Sequence, residues 1–139
     1  MREVDISGWN ADLVTNFAAM FHSCNAIEKI TINSWDMSSA TDTSEMFRGC
    51  ADLGTSLVFP ASLPVVGANM FNNARQLFEF HFAKTTPPTL TDTNAFTNMT
   101  DAGGKKIYVP YSADHSVLNA YKTATNWSTY ADYIFEESP

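Results

Sequence analysis

Cysteine is scarce in this chain: two in 139 residues, too few for a disulfide framework. Basic residues are few as well. Eight Lys and Arg stand against fifteen Asp and Glu, a formal charge of -7. Such a surface repels phosphate backbones, which argues against a nucleic-acid partner. No apolar run approaches the roughly 20 residues of a membrane-spanning helix, so membrane insertion is not expected. Met1-Arg2-Glu3-Val4-Asp5 carries no signal-peptide h-region. HExxH, GxSxG, P-loop and GxGxxG patterns are all missing, and with them the usual grounds for a catalytic metal or a nucleotide cofactor. What remains is ample for a core. Apolar residues make up 45% and charged residues 17%, and the length suits one domain over 1–139.

The sequence repeats. Phe21, Phe47, Phe71 and Phe96 recur at spacings of 26, 24 and 25 residues. Met20, Met46, Met70 and Ala95 precede them; Cys24, Cys50, Ala74 and Met99 follow three places on, then Ile27, Leu53, Leu77 and Ala102. Ile6 pairs in phase with Ile32, and Trp9 with Trp35. A period of 24 to 26 is too short for a two-helix repeat or a propeller blade. It fits a strand, a turn, a helical or 3₁₀ corner and a return, the coil of a leucine-rich-repeat solenoid. The strand candidates are Val4-Asp5-Ile6, Ile30-Thr31-Ile32, Leu57-Val58-Phe59, Phe80-His81-Phe82 and Ile107-Tyr108-Val109. In each the outer two residues are apolar and face the core. Asp12, Ser39 to Thr43 and Thr91 to Thr93 supply oxygens for caps before the corners. The expected fold is an α/β repeat: a short right-handed solenoid with one parallel strand per coil, repeats at about 4–28, 30–54, 56–78 and 80–103, and a strand and helical cap at about 105–139.

The stretch from Trp35-Asp36-Met37 through Glu45-Met46-Phe47-Arg48-Gly49-Cys50-Ala51-Asp52-Leu53 resembles the 26-residue repeat of the BspA-like leucine-rich-repeat family. Lys106-Ile107-Tyr108-Val109-Pro110, Ala120-Tyr121-Lys122 and Trp127-Ser128-Thr129-Tyr130-Ala131 resemble the closing segment of such proteins. Pro60, Pro64, Pro87 and Pro88 interrupt the third and fourth repeats. The resemblance implies a secreted or surface-exposed bacterial protein with a binding or adhesive role, and it brings no catalytic residues.

Both ends of such a stack need covering. Val117, Leu118 and Tyr121, then Trp127, Tyr130 and Ile134, are placed to roof the last coil. The first repeat begins almost at Met1 without an equivalent, so that edge is expected either to continue a longer chain or to pair with another copy. Ligand-binding residues are expected on the outward strand face. The central column is Asp5, Thr31, Val58, His81 and Tyr108; beside it run Glu3, Lys29, Ser56, Glu79 and Lys106, at about 5 Å spacing. A mixed column of this kind suits a host or bacterial surface protein or a glycan, or is simply a solvated face.

The reactive residue types read as structural. Cys24 and Cys50 fall in the slot that also holds Ala74 and Met99, as expected of buried free thiols. His22, His81 and His115 are scattered along the axis. Asp36, Asp42, Asp52 and Asp92 sit where turns need side-chain acceptors. Trp9 and Trp35 read as a stacked lid or a sugar platform, and Asn98-Met99-Thr100 and Asn126-Trp127-Ser128 match a glycosylation sequon. The expected function is a non-catalytic interaction module without cofactor or metal. The alternatives are an assembly element acting through its N-terminal edge and, remotely, a hydrolase.

Overall fold

The computed structural model describes residues 2–96 and 104–139; the positions expected at Met99, Ala102 and Asn98 lie outside them. Among the described residues, eight short strands and two helices form an α/β fold. The strands are β1 Glu3–Val4, β2 Lys29–Ile30, β3 Ser56–Phe59, β4 Val65–Val66, β5 Glu79–Phe82, β6 Thr89–Leu90, β7 Lys106–Val109 and β8 Ile134–Glu136. Helix α1, Ser116–Thr123, and a 3₁₀ helix, Trp127–Tyr133, precede β8. All pairings are parallel: β1 with β2, β3-β5-β7-β8 in one sheet, and β4 with β6. Alternation explains the longer strands, since Leu57 and Phe59, Phe80 and Phe82, and Ile107 and Val109 are all buried while the residues between them face outward.

The rings fix the phase. Phe21 stacks on Phe47 at 5.4 Å, Phe47 on Phe71 at 6.1 Å and Phe71 on Phe96 at 5.2 Å, with planes within 22° of one another. Phe59, Phe80 and Phe82 meet this ladder, mostly edge-on, from the strand side. Each such pair contributes about 0.5–1.5 kcal/mol beyond its buried area.

The corners are not helical. Bonds from alternate N–H groups to the carbonyl three residues back (Met20 to Phe17, His22 to Ala19, Cys24 to Phe21) form overlapping turns, and left-handed residues interrupt any helix. These recur in phase: Ala19, Glu45 and Asn69 at φ near +57°, then Ser23, Gly49 and Asn73 four places later. The intervening N–H groups leave the unit. Phe17, Ala19, Phe21 and Ser23 donate to the carbonyls of Asp42, Ser44, Met46 and Arg48, and Glu45, Phe47 and Gly49 to those of Ala68, Met70 and Asn72. The hydroxyls expected as caps bridge units instead. Ser39 and Thr41 donate to the Asp12 and Thr15 carbonyls, and the fully buried Thr43 hydroxyl donates to the Val65 carbonyl while accepting from Gly67 N–H.

The C-terminal segment closes the stack by copying that bonding. Thr89 and Thr91 N–H donate to the Pro64 and Val66 carbonyls. One unit on, the same places at Pro88 and Leu90 are filled by Trp127 Nε1 and Asn126 Nδ2, at 2.8 and 2.7 Å. The Tyr121 hydroxyl donates to the Lys84 carbonyl at 2.7 Å and the Tyr130 hydroxyl to that of Thr93. Ile134, expected in the roof, lies in β8 and pairs with Ile107, its buried side chain continuing the inward face of the sheet.

Two substitutions test the corner geometry. A Cβ at Gly67 would lie 2.4 Å from Ser44 N and 2.7 Å from Ser44 Cα, so Gly67→Ala is expected to destabilise by about 1–3 kcal/mol. Exposed Ala19 sits at φ 56°. Ala19→Gly relieves about 1–2 kcal/mol of left-handed strain against about 0.4–1 kcal/mol of added chain entropy, and should raise stability slightly in urea titrations.

Candidate functional site

The outward face of β3, β5, β7 and β8 carries one strip of side chains in register. Val58 pairs with His81, His81 with Tyr108 and Tyr108 with Phe135. Val58 and Phe135 are each 41% exposed. The His81 and Tyr108 rings stack at 4.8 Å and 15°, and Tyr108 meets Phe135 at 6.4 Å. Glu79 and Lys106 flank the strip, with Lys106 Nζ 5.4 Å from the Phe135 ring centre. At one end Val58, His81, Phe82, Ala83, Pro110 and Glu137 line a concavity of about 360 Å³.

His81 is clamped on both ring nitrogens. Nε2 lies 3.1 Å from Glu79 Oε2, and Nδ1 contacts Glu137 Oε1. Burial alone lowers its pKa, but the hydrogen bonds and charges of Glu137 and Glu79 outweigh it and hold the imidazole above its ordinary value. With both nitrogens turned to carboxylates, the arrangement favours the protonated ring, whose two N–H groups can donate to both acids.

Four of the sequence-derived positions, Val58, His81, Tyr108 and Lys106, join this patch, with Glu79 at its edge. Asp5, Thr31 and Lys29 do not. Asp5 lies beyond β1 and accepts from Ser7 N–H and hydroxyl, which lowers its pKa. Lys29 pairs with Glu3 at 3.7 Å. Thr31 borders a cleft that parts β2 from β3, and the larger opening beside it measures about 630 Å³ between Lys29–Ile30 and Gly54–Ser56. The continuous column fails for a reason of register. Glu28 and Phe78 N–H donate to the equivalent carbonyls of Arg2 and Thr55, whereas between these units Gly54 reaches the Glu28 carbonyl one residue early, at 2.6 Å. That slip ends the ladder. A Cβ at position 54 would sit 2.7 Å from that oxygen, so glycine permits the approach. Phe135 and Glu137 were not expected; two successive apolar residues, Ile134 and Phe135, gave no alternation, and the helical spacing just before them masked the short strand.

Other reactive groups stand apart. Cys24 and Cys50 are unbonded; Cys50 donates to the Phe21 carbonyl at 2.9 Å, and burial pushes its thiol up to about 11, far from a reactive thiolate. His22 lies by Glu45, and His115 Nδ1 is 2.7 Å from Glu136 Oε2. Asp36, Asp42 and Asp92 hold the N–H two residues on. Trp9 stacks on Trp35 at 6.4 Å; Trp9 is 57% exposed and Trp35 buried. Among the described residues no group of three or more His, Cys, Asp or Glu is arranged to hold a metal, and no helix is long and apolar enough to cross a membrane.

These features define an α/β protein of short parallel strands with two helices and an aromatic, charge-edged sheet face. The chain belongs to the family described as Mycoplasma protein of unknown function, DUF285, which matches residues 2–79, more than half of its length. No curated protein matches it.

The His81 clamp sets a pH dependence. Because its pKa is raised in the folded state, its contribution is complete below the unfolded value near 6.5 and is lost as pH rises through the higher folded value. Melting curves from pH 5.5 to 8.5 should show wild type losing up to about 1 kcal/mol relative to His81→Gln. Parallel curves for the two proteins would refute the clamp.

Proposed function

We propose that the chain is a non-catalytic interaction module, a short right-handed leucine-rich-repeat solenoid of BspA-like type from a secreted or surface-exposed bacterial protein. It binds a host or bacterial surface protein or a glycan through its strand face. One observation carries this reading: Val58, His81, Tyr108 and Phe135 form an outward-facing strip in fixed register, bordered by Glu79, Glu137 and Lys106. Stacked rings give contact area at little conformational cost, and charged side chains at the edge orient a partner. Solenoid sheet faces are the usual binding surfaces of repeat architectures. The in-phase ring ladder and inter-unit hydrogen bonds support the solenoid reading, and the parallel crossovers favour the right hand. The separate roles of the acids, histidines and thiols support a module without catalytic machinery.

A glycan and matrix-protein array probed with the full chain tests the proposal. A hit should weaken at least tenfold with Tyr108→Ala and with Phe135→Ala, both on the outer face, while thermal melts stay close to wild type. Hits indifferent to both substitutions would remove the strip from the binding surface, and turnover of any arrayed compound would overturn the non-catalytic reading.

A further inference from the structure

Two histidine–carboxylate pairs converge on β8, the strand that supplies Phe135 to the strip. Glu137, one residue past β8, donates its N–H to the Val109 carbonyl at 2.8 Å. Its side chain reaches over β7 to His81 Nδ1 on β5. Glu136, the last residue of β8, lies with Oε2 2.7 Å from Nδ1 of His115, just before α1. The Glu136 side chain is 13% exposed, and its Oε1 is buried with no hydrogen-bond partner among the described residues. A carboxylate so placed is costly unless a positive charge stands against it. Histidine therefore ties this strand to the sheet through His81 and to the helical segment through His115.

The surroundings set the direction of the response. Against His81 stand Glu79 on its own strand, Glu137, and the Tyr108 ring stacked from β7; Val58 from β3 brings no charge. Against His115 stands Glu136, while the neighbouring Asp114 carboxylate accepts from Ser116 N–H. Lys106 is turned to Phe135. A neutral imidazole keeps one N–H only, so one of the two acids at His81 then faces a lone pair. We propose that His81 and His115 form a pH-operated latch on β8: protonated, they hold Phe135 in the strip; neutral, they let the strand open. Opening follows as pH rises through the folded-state value of His81, which lies above 6.5. That the latch regulates recognition rests on the proposed binding role of the strip; the motion of β8 does not.

Amide exchange of the full chain, followed by NMR from pH 5.5 to 8.5 and corrected for the intrinsic rate, tests the latch. The pairs are partly exposed, so protection of Glu137 N–H and the β8 amides should fall about three- to fivefold over that range. It should also stay below that of Leu57 in β3, because β8 opens without the rest of the sheet. The double variant His81→Gln, His115→Gln keeps a neutral donor at each site, and its β8 protection should not change with pH. Should the double variant unfold, Glu137→Gln, at a side chain 43% exposed, should remove most of the pH dependence. Protection that is flat with pH in the wild type would overturn the latch. So would a pH dependence that persists in the variants, or β8 amides as protected as Leu57. None of these results touches an array hit lost with Tyr108→Ala, so the latch and the binding role of the strip fail separately.

Discussion

The structure depends on one constraint: each unit must hand its alternate N–H groups to the carbonyls of the next in constant phase. Buried backbone groups are costly unless paired, and a two-residue strand such as β1 or β2 cannot satisfy a unit alone. The corners meet the requirement by placing left-handed residues four apart, so that alternate N–H groups turn back into the unit while the others point along the stack. The phenylalanine ladder follows, because units held in one phase bring Phe21, Phe47, Phe71 and Phe96 ring over ring. Gly67 belongs to the same constraint: its missing side chain lets the backbone of one unit approach Ser44 of another.

Where that phase holds, function has a platform; where it slips, the platform ends. The strip on β3, β5, β7 and β8 is rigid because its strands are paired over three or four residues and their inward sides are buried. The one-residue shift at Gly54 separates it from the Glu3–Lys29 pair, so the outward face is two surfaces and not one long column. The aromatic and charged residues that could meet a ligand together all lie on the C-terminal side of the break.

The sequence revealed most where side chains repeat. The ring ladder, the inward alternation of Leu57 and Phe59 or Ile107 and Val109, and the tail packing of Tyr121, Trp127 and Tyr130 all follow from apolar spacing. Features carried by backbone conformation were hidden. Ala19, Glu45 and Asn69 share a left-handed φ yet have no side-chain property in common, so the corner read as helical. β4 and β6 were missed although Pro64-Val65-Val66 and Pro88-Thr89-Leu90 stand 24 apart, because the prolines read as interruptions and not as the residues that start each short strand. The register slip at Gly54 had no signal beyond one additional residue, and it removed Asp5, Thr31 and Lys29 from the site.

The two ends of the molecule show what this bonding pattern does. At the C-terminal end four side-chain donors stand in for the N–H groups of a further unit, and Trp127 and Tyr130 cover the last ring of the ladder, Phe96. Growth stops there because both the polar and the apolar requirements of the stack are met. At the first unit the described residues meet neither: no described donor reaches the carbonyls of Asn16, Ala18, Met20 and His22, and Trp9 and Leu13 face outward. The outer face of the C-terminal sheet lies to the side of the stack, not at its end, so closing the stack leaves that face uncovered.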